Sequence, residues 1–207
     1  MYFVKTPEII RYYYKDVIWK IPDEEKSIFL TFDDGPDERT TNSILKILDQ
    51  YNVKVTFFCV GKKAKENLKI IEKIGGNGHT IGNHSYSHVN GWRVKTDEYL
   101  KDIDKCNEVL HSKLFRPPYG KISRQQIKVI KNQYDIVLWS VLPGDFDKNV
   151  SKEKCLLRSI NNTTSGTIIV FHDNINTIDK VIYCLPKYLE HFTKSGFKFK
   201  PLSDHLF

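Results

Sequence analysis

Short apolar runs alternate with amphipathic stretches along most of the chain, and this alternation constrains the fold more than any other feature of the sequence. Seven runs are short and mostly rich in β-branched and aromatic residues, a pattern typical of buried strands. They lie at 27–32, 53–60, 79–82, 114–117, 136–139, 167–171 and 197–202. Amphipathic segments that predict helices lie at 40–51, 96–110, 123–132, 151–162 and 177–194. The alternation predicts an α/β fold with a parallel sheet, either open and doubly wound or a small, incomplete (β/α) barrel.

The length and composition predict one globular domain. The chain has 207 residues, of which 40% are hydrophobic and 28% are charged, and it contains no repeat or linker-like tract. Its four cysteines lie far apart among apolar neighbours and are expected to be buried free thiols. Residues 1–26 precede the first strand–helix unit, and we predict that they form an N-terminal cover segment or an edge strand. The domain that carries the function is predicted over residues 27–207.

Charge and hydropathy exclude several classes of partner. The net charge of +7 comes from basic residues spread over the whole chain, whereas nucleic-acid binders usually concentrate them on one face or in a tail. We therefore expect no nucleic-acid partner. No apolar run approaches the length of a membrane span, and the first residues lack the layout of a signal peptide. A cytoplasmic location is expected for the chain as given, and an exported one if a leader was removed; the oligomeric state is left open.

Polar clusters follow five of the seven predicted strands. In chain order they are "DDGP" (33–36), "NHSYSH" (83–88), "RPPYG" (116–120), "PGDFD" (143–147) and "HD" (172–173). In parallel α/β folds, ligands bind at the carboxyl ends of the strands. We therefore expect all five clusters to lie on one face of the molecule.

Two histidines and an aspartate in these clusters form a candidate metal site. His84 and His88 are four residues apart, so on a helical turn both imidazoles would project to the same side. Asp33 or Asp34 supplies a carboxylate, and such a set leaves positions open on the ion, as catalytic sites require. Taken alone, each motif favours a simpler interpretation, surface histidines or an Asp-Gly-Pro turn. Together they favour a divalent cation, with the second acid as general base.

The remaining clusters supply candidates for proton transfer and orientation. His172 can protonate a leaving group, and Asp145 would raise its pKa. Arg116 can pair with Asp33 and fix its orientation. Backbone N–H groups around Tyr119 can stabilise an oxyanion. A histidine after a strand is more often structural, and "RPPYG" also makes a rigid bend, so these roles depend on the convergence of the clusters.

The five clusters, in this order, resemble the motifs of the polysaccharide deacetylase family, also called carbohydrate esterase family four. The similarity runs from about Ser27 to Leu202. The matching stretches are "TFDDGP" (31–36), "HSYSH" (84–88), "RPPYG" (116–120), "GDFD" (144–147) and "VFHD" (170–173). The resemblance implies a distorted, incomplete (β/α) barrel of about seven strands, similar to a TIM barrel. It also implies one divalent metal ion, usually zinc, with cobalt, nickel or manganese as alternatives.

Carried over residue by residue, the resemblance implies a role for each member of the site. The implied roles are Asp33 as base, Asp34, His84 and His88 as metal ligands, Arg116 as the residue that orients the base, Tyr119 as a backbone donor, Asp145 as the partner of the acid, and His172 as the general acid. Three positions depart from the family pattern, with Phe146 in place of Trp, Leu142 in place of Asp, and Val170 in place of the Leu that holds the acetyl methyl group. Pro118, Phe146 and Val170 are the expected substrate contacts.

The expected function is metal-dependent removal of acetyl groups from N-acetylated amino sugars, in a polymer or an oligosaccharide such as one of N-acetylglucosamine. One alternative is deacetylation of O-acetyl esters on a polysaccharide such as xylan. Another is a non-haem iron oxygenase, which also uses two histidines and a carboxylate but needs no second acid beside them. The last is a non-catalytic carbohydrate-binding relic, which is disfavoured because Asp33, Asp145 and His172 are all present.

Overall fold

The computed structural model describes residues 2–22 and 25–202. Met1, Asp23 and Glu24, which belong to the predicted N-terminal segment, and residues 203–207, at the end of the predicted domain, lie outside the described residues. Within the described ranges, no helix combines the length and the apolar character needed to cross a bilayer. The division into segment 1–26 and domain 27–207 stays a prediction.

In the part of the chain that the structure describes, seven parallel strands form one sheet. The strands are β1 (Ser27–Asp33), β2 (Thr56–Cys59), β3 (Thr80–Asn83), β4 (Leu114–Phe115), β5 (Asp135–Ile136), β6 (Thr167–His172) and β7 (Lys198–Phe199). Their order is β5-β4-β3-β2-β1-β6, and β7 pairs with the start of β1. The predicted parallel sheet is confirmed, and every predicted strand overlaps one of these observed strands.

The described ranges contain eight α-helices. They are α1 (Glu8–Tyr13), α2 (Glu38–Gln50), α3 (Gly61–Glu66), α4 (Leu68–Gly76), α5 (Thr96–Leu110), α6 (Arg124–Ile130), α7 (Lys152–Asn162) and α8 (Ile178–Lys194). The five predicted helices are present, and the capping box of Ser123 with Gln126 starts α6. Helices α1, α3 and α4 were not predicted from the sequence. Helix α1 buries none of its residues, and α3 and α4 are short pieces separated at Asn67, so none shows a long apolar stripe.

Strand β1 lies between β2 and β6 in the sheet and is buried over its whole length. Alternate side chains of a strand point to opposite faces. Ile28, Leu30 and Phe32 belong to the core under the helices, which also contains Leu45 of α2 and Leu185 of α8. Full burial of each such side chain contributes about 1.5–3 kcal/mol.

The opposite face of β1 leads to the polar end of the barrel. Phe29 packs with Phe58 and Ile168 inside the sheet. Thr31 and Asp33 follow Phe29 on this face, because they are two and four residues further along the strand. On this face, the strand therefore presents an apolar side chain near its start and a carboxylate at its end.

The segment after β5 links the two edges of the sheet. β5 pairs with β4, and a few residues later the chain reaches β6, where Ser140 N donates to Ile168 O (3.0 Å) and Val170 N donates to Val141 O (3.2 Å). N-terminal residues pair with the same segment through bridges from Ile18 to Val137 and from Lys5 to Val141. All four cysteines are buried free thiols, as expected.

Candidate active site

The five polar clusters meet at the carboxyl ends of the strands. Asp33 ends β1 and His172 ends β6, and the two are register partners in the sheet. Strand β3 ends at Asn83, directly before His84, and β4 ends directly before Arg116. The parallel sheet therefore brings residues that are more than 130 positions apart to one edge.

Arg116 and Asp33 form a buried ion pair. The Arg116 Nη1 donates to Asp33 Oδ1 and to Thr31 Oγ1, both at 2.7 Å. The rest of the guanidinium donates to the carbonyls of Val137 (3.2 Å) and Leu138 (3.1 Å). Burial lowers the pKa of Arg116, and its contact with Asp33 opposes that effect. These contacts hold the Asp33 carboxylate in one orientation.

Asp34, His84 and His88 form a group that fits one metal ion. One donor atom from each residue lies within 4.8 Å of the other two. His88 Nε2 lies 3.0 Å and His84 Nε2 lies 3.6 Å from Asp34 Oδ1. Burial raises the pKa of Asp34, but the hydrogen bonds with His84 and His88 together with nearby histidine charges lower the pKa by more than burial raises it. The net shift is therefore downward. Two imidazole nitrogens and one carboxylate are a donor set of catalytic zinc sites.

A backbone carbonyl group orients the ring of His84. Its Nδ1 lies 2.8 Å from the carbonyl oxygen of Arg116. With the proton on Nδ1, this hydrogen bond leaves the lone pair of Nε2 free on the side of Asp34. Metal-binding histidines typically have such a partner on the second ring nitrogen.

The prediction of a helical turn between His84 and His88 is wrong. Residues 84–88 form an irregular loop in which Ser85 and His88 have positive φ (60° and 54°). Asp102 of α5 holds this loop by accepting hydrogen bonds from Tyr86 N (3.0 Å), Ser87 N (3.0 Å) and Ser87 Oγ (2.7 Å). The two imidazoles therefore meet because α5 fixes the loop, and not because of helical periodicity.

His172 and Asp145 form a second acid–base pair. His172 Nδ1 lies 2.9 Å from Asp145 Oδ1, and the backbone N–H of His172 donates to Asp145 Oδ2 (2.7 Å). Burial lowers the pKa of His172, but the charges of Asp145, Asp34 and Asp33 raise it to about 9. The imidazole is therefore a cation at neutral pH and can donate a proton.

The expected substrate contacts differ in their accessibility. The Tyr119 ring is 59% exposed and lies edge-on to His88, with ring centroids 4.7 Å apart. Phe146 is 41% exposed, and its ring centroid lies 5.2 Å from that of His172. Val170 shares the face of β6 that carries His172 but is fully buried, and Pro118 is buried as well. Their roles toward a substrate stay predictions.

Two contacts of Asp34 were not predicted from the sequence. Asn174 Nδ2 donates to Asp34 Oδ2 (2.8 Å), and Lys63 Nζ donates to the Asp34 carbonyl (2.8 Å). Asn174 directly follows the "HD" cluster, which was a usable signal. Nothing in the sequence marks Lys63, because its contact depends on how α3 packs.

Asp173 also lies at this edge but is directed into the protein. Its two carboxylate oxygens accept hydrogen bonds from the hydroxyls of Thr40 and Thr41, both at 2.5 Å. Burial raises the pKa of Asp173 to about 6, although the two threonine hydrogen bonds lower it. A Cβ on Gly35 would lie 2.3 Å from Asp173 Oδ2, so only glycine fits there. Asp173 therefore joins β6, the "DDGP" turn and α2.

Comparisons with known proteins identify a family that this chain matches. The family model described as polysaccharide deacetylase matches residues 20–135, more than half of the chain. A peptidoglycan-N-acetylglucosamine deacetylase of Bacillus cereus is 39% identical over 78% of this chain. The match covers 64% of that relative, so the chain spans less than two thirds of its length. A second B. cereus protein of the same name is 34% identical over 92% of both chains.

A solved structure shows the same fold. The crystal structure of a peptidoglycan N-acetylglucosamine deacetylase, in complex with 4-naphthalen-1-yl-N-oxidanyl-benzamide, matches with a TM-score of 0.88 and 35% identity. The match covers 96% of both chains. The distorted, incomplete (β/α) barrel predicted from the sequence is thereby confirmed.

Proposed function

Since the chain belongs to the polysaccharide deacetylase family, we propose that it removes acetyl groups from N-acetylated amino sugars with the help of one divalent metal ion. The observation that carries the proposal is the group of Asp34, His84 and His88 with donor atoms within 4.8 Å, beside two further acid–base pairs. Family membership supports a carbohydrate deacetylase; the metal dependence and the residue roles are our proposal.

The donor set and its support fit zinc. Asp34 and the Nε2 atoms of His84 and His88 would hold the ion, and the contact of His84 with the Arg116 carbonyl fixes the required tautomer. When bound, the ion supplies Lewis acidity and lowers the pKa of water. Cobalt, nickel or manganese are alternatives that the same ligands could hold.

The protein groups would carry the protons. Asp33, held by Arg116, accepts a proton from the water that attacks the acetamide carbonyl. His172 donates a proton to the departing amine nitrogen, while Asp145 keeps Nδ1 occupied and the ring oriented. A backbone N–H at Tyr119 would donate to the oxyanion. The products are acetate and the amino sugar in its ammonium form, which together account for both protons of the water, and the proton lost by His172 is balanced by the one that Asp33 gains.

An amino-sugar polymer or oligosaccharide is the proposed substrate. The two B. cereus relatives are named for N-acetylglucosamine in peptidoglycan. The exposed rings of Tyr119 and Phe146 beside the histidines offer flat apolar surfaces that suit a sugar face. The cellular compartment, cytoplasmic or exported, stays a prediction from the sequence.

Acetate release tests the proposal. Zinc-loaded protein should release acetate from N-acetylglucosamine oligomers or peptidoglycan, and a chelator should abolish the release. Asp33→Asn should lower the rate by about 10²–10⁴ while zinc binding persists. Asp179→Asn, the same change at an exposed position at the start of α8, is the matched control.

Three outcomes would contradict the proposal. Unchanged turnover in Asp33→Asn would remove the base assignment. Acetate release from acetylated xylan alone would identify an O-acetyl esterase. Sugar binding without any acetate release by zinc-loaded protein would identify a non-catalytic relic.

A further inference from the structure

Residues 2–6, here called the N-terminal strap, pair with the segment that leads into the Asp145 loop. The strap and residues 139–142 are joined by hydrogen bonds from Leu142 N to Val4 O (2.8 Å), Thr6 N to Ser140 O (2.9 Å) and Thr6 Oγ1 to Trp139 O (2.8 Å). The other edge of 139–142 pairs with β6. The segment is therefore held on both edges just before the chain turns to Asp145.

The hydroxyl of Tyr2 anchors the loop of residues 143–147. Arg158 Nη1 donates to Tyr2 Oη (2.9 Å) and to the Pro143 carbonyl (3.3 Å), and Tyr2 Oη donates to Asp147 Oδ2 (3.1 Å). Gly144 has φ +91°, and a Cβ there would lie 2.1 Å from Tyr2 Oη. The loop is thus shaped around the phenol of Tyr2.

The ring of Tyr2 continues this contact to the proton-donor pair. Tyr2 and Phe146 have ring centroids 4.9 Å apart, and Phe146 and His172 have centroids 5.2 Å apart. Asp145, one residue before Phe146, is almost fully buried. We propose that Tyr2 is a positioning residue for the His172–Asp145 pair, acting through Phe146 and the 143–147 loop; the proposal rests on the proposed role of His172 as proton donor.

A loss of positioning should depend on the leaving group. An amine leaves only with a proton, so cleavage of the N-acetyl bond requires His172 in the correct place. A 4-nitrophenolate ion is stable without a proton, so hydrolysis of 4-nitrophenyl acetate at the same site does not require the acid. Without the Tyr2 ring, Phe146 and the loop lose a packing partner, and an error of about 1 Å in a reacting group can cost about 100-fold in rate.

The experiment compares these two substrates on the zinc-loaded, full chain. In Tyr2→Ala, kcat for an N-acetylglucosamine oligomer should fall by about tenfold or more, while kcat/KM for 4-nitrophenyl acetate changes by less than about twofold. His172→Ala defines the pattern for complete loss of the acid. Tyr2→Phe keeps the ring but not the hydroxyl and should lie between Tyr2→Ala and the unaltered chain. Tyr12→Ala, at an 82% exposed position on α1, is the control.

The outcomes separate this inference from the proposed function. Equal losses on both substrates, or no loss on either, would overturn the role of Tyr2. If Tyr2→Ala does not fold, Tyr2→Phe decides: a selective loss on the oligomer supports the proposal, and unchanged activity on both substrates overturns it. An unaltered chain that releases no acetate from any acetylated sugar would overturn the proposed function and, with it, this role.

Discussion

Buried charge governs the chemistry of single residues at this edge of the sheet. Arg116 is 0% and Asp33 is 2% exposed, so each needs the other, and removal of one partner of a buried pair typically costs about 3–5 kcal/mol. His172 keeps its positive charge despite burial because three carboxylates surround it. Each of these side chains is thus held in place by its neighbours before any substrate arrives.

The support given by Asn174 to Asp34 leads to a prediction on metal affinity. Asn174→Ala removes the donor at 2.8 Å from Asp34 Oδ2, so the carboxylate is less well oriented for an ion. Loss of such outer contacts typically weakens metal affinity about 10–100-fold. Competition with a chromophoric chelator should show this loss for zinc. Asn132→Ala, at an exposed position after α6, should bind zinc as the unaltered chain does; equal affinity in both variants would contradict the prediction.

The charge on His172 leads to a prediction on pH. The acid must be protonated to act, and although burial lowers its pKa, the nearby carboxylates raise it above the ordinary histidine value, so kcat should fall as the pH rises above neutral. Asp145→Asn removes a charge that raises this pKa, so the alkaline limb should move to lower pH, toward the ordinary histidine value of about 6.5. The pH profile of kcat with zinc bound measures the limb. An unchanged limb in Asp145→Asn would show that another group controls it.

Much of the site was predictable at this scale, but not all of it. Asp33, Asp34, His84, His88, Arg116, Asp145 and His172 stand out in the sequence because each lies in a polar cluster at the end of an apolar run. Asn174 is marked only by its place directly after the "HD" cluster and Lys63 is not marked at all, because their contacts with Asp34 depend on the path of the β6–α8 connection and on the packing of α3. The catalytic and metal-binding roles themselves stay predictions.

At the scale of elements, strands were predicted better than the loops that follow them. The apolar runs predict β1 and β6 because burial of both faces leaves a continuous apolar pattern. The loop of residues 84–88 was predicted incorrectly, because a four-residue spacing of histidines is equally compatible with a helical turn and with an irregular loop. The positive φ values of Ser85 and His88 depend on tertiary contacts with α5 that the spacing does not contain.

The contact between α5 and this loop can be tested with one substitution. Asp102→Ala removes the carboxylate that accepts hydrogen bonds from two backbone N–H groups and one hydroxyl of the loop, so His88 should become less ordered and zinc affinity should fall. Glu108→Ala, at an exposed position of the same helix, is the control. Zinc titration by calorimetry checks both. If Asp102→Ala and Glu108→Ala bind zinc equally well, α5 does not fix the ligand loop.

At the scale of the whole molecule, the site depends on a sheet order that the sequence does not specify. The apolar runs show how many strands exist, but the order β5-β4-β3-β2-β1-β6 is set by packing between distant segments. The closing contacts of 139–142 with β6 and with the N-terminal strap also join parts of the chain far apart in sequence. This arrangement brings Asp34 from the end of β1 to the two histidines that follow β3.

The convergence of these elements on one cation is the central claim, and anomalous X-ray diffraction at the zinc absorption edge tests it most directly. Crystals of the full chain grown with zinc should show one strong peak, with bonds of about 2.0–2.2 Å to the Asp34 carboxylate and to Nε2 of His84 and His88. No peak at this position, or zinc bound elsewhere while the three side chains point apart, would contradict the account.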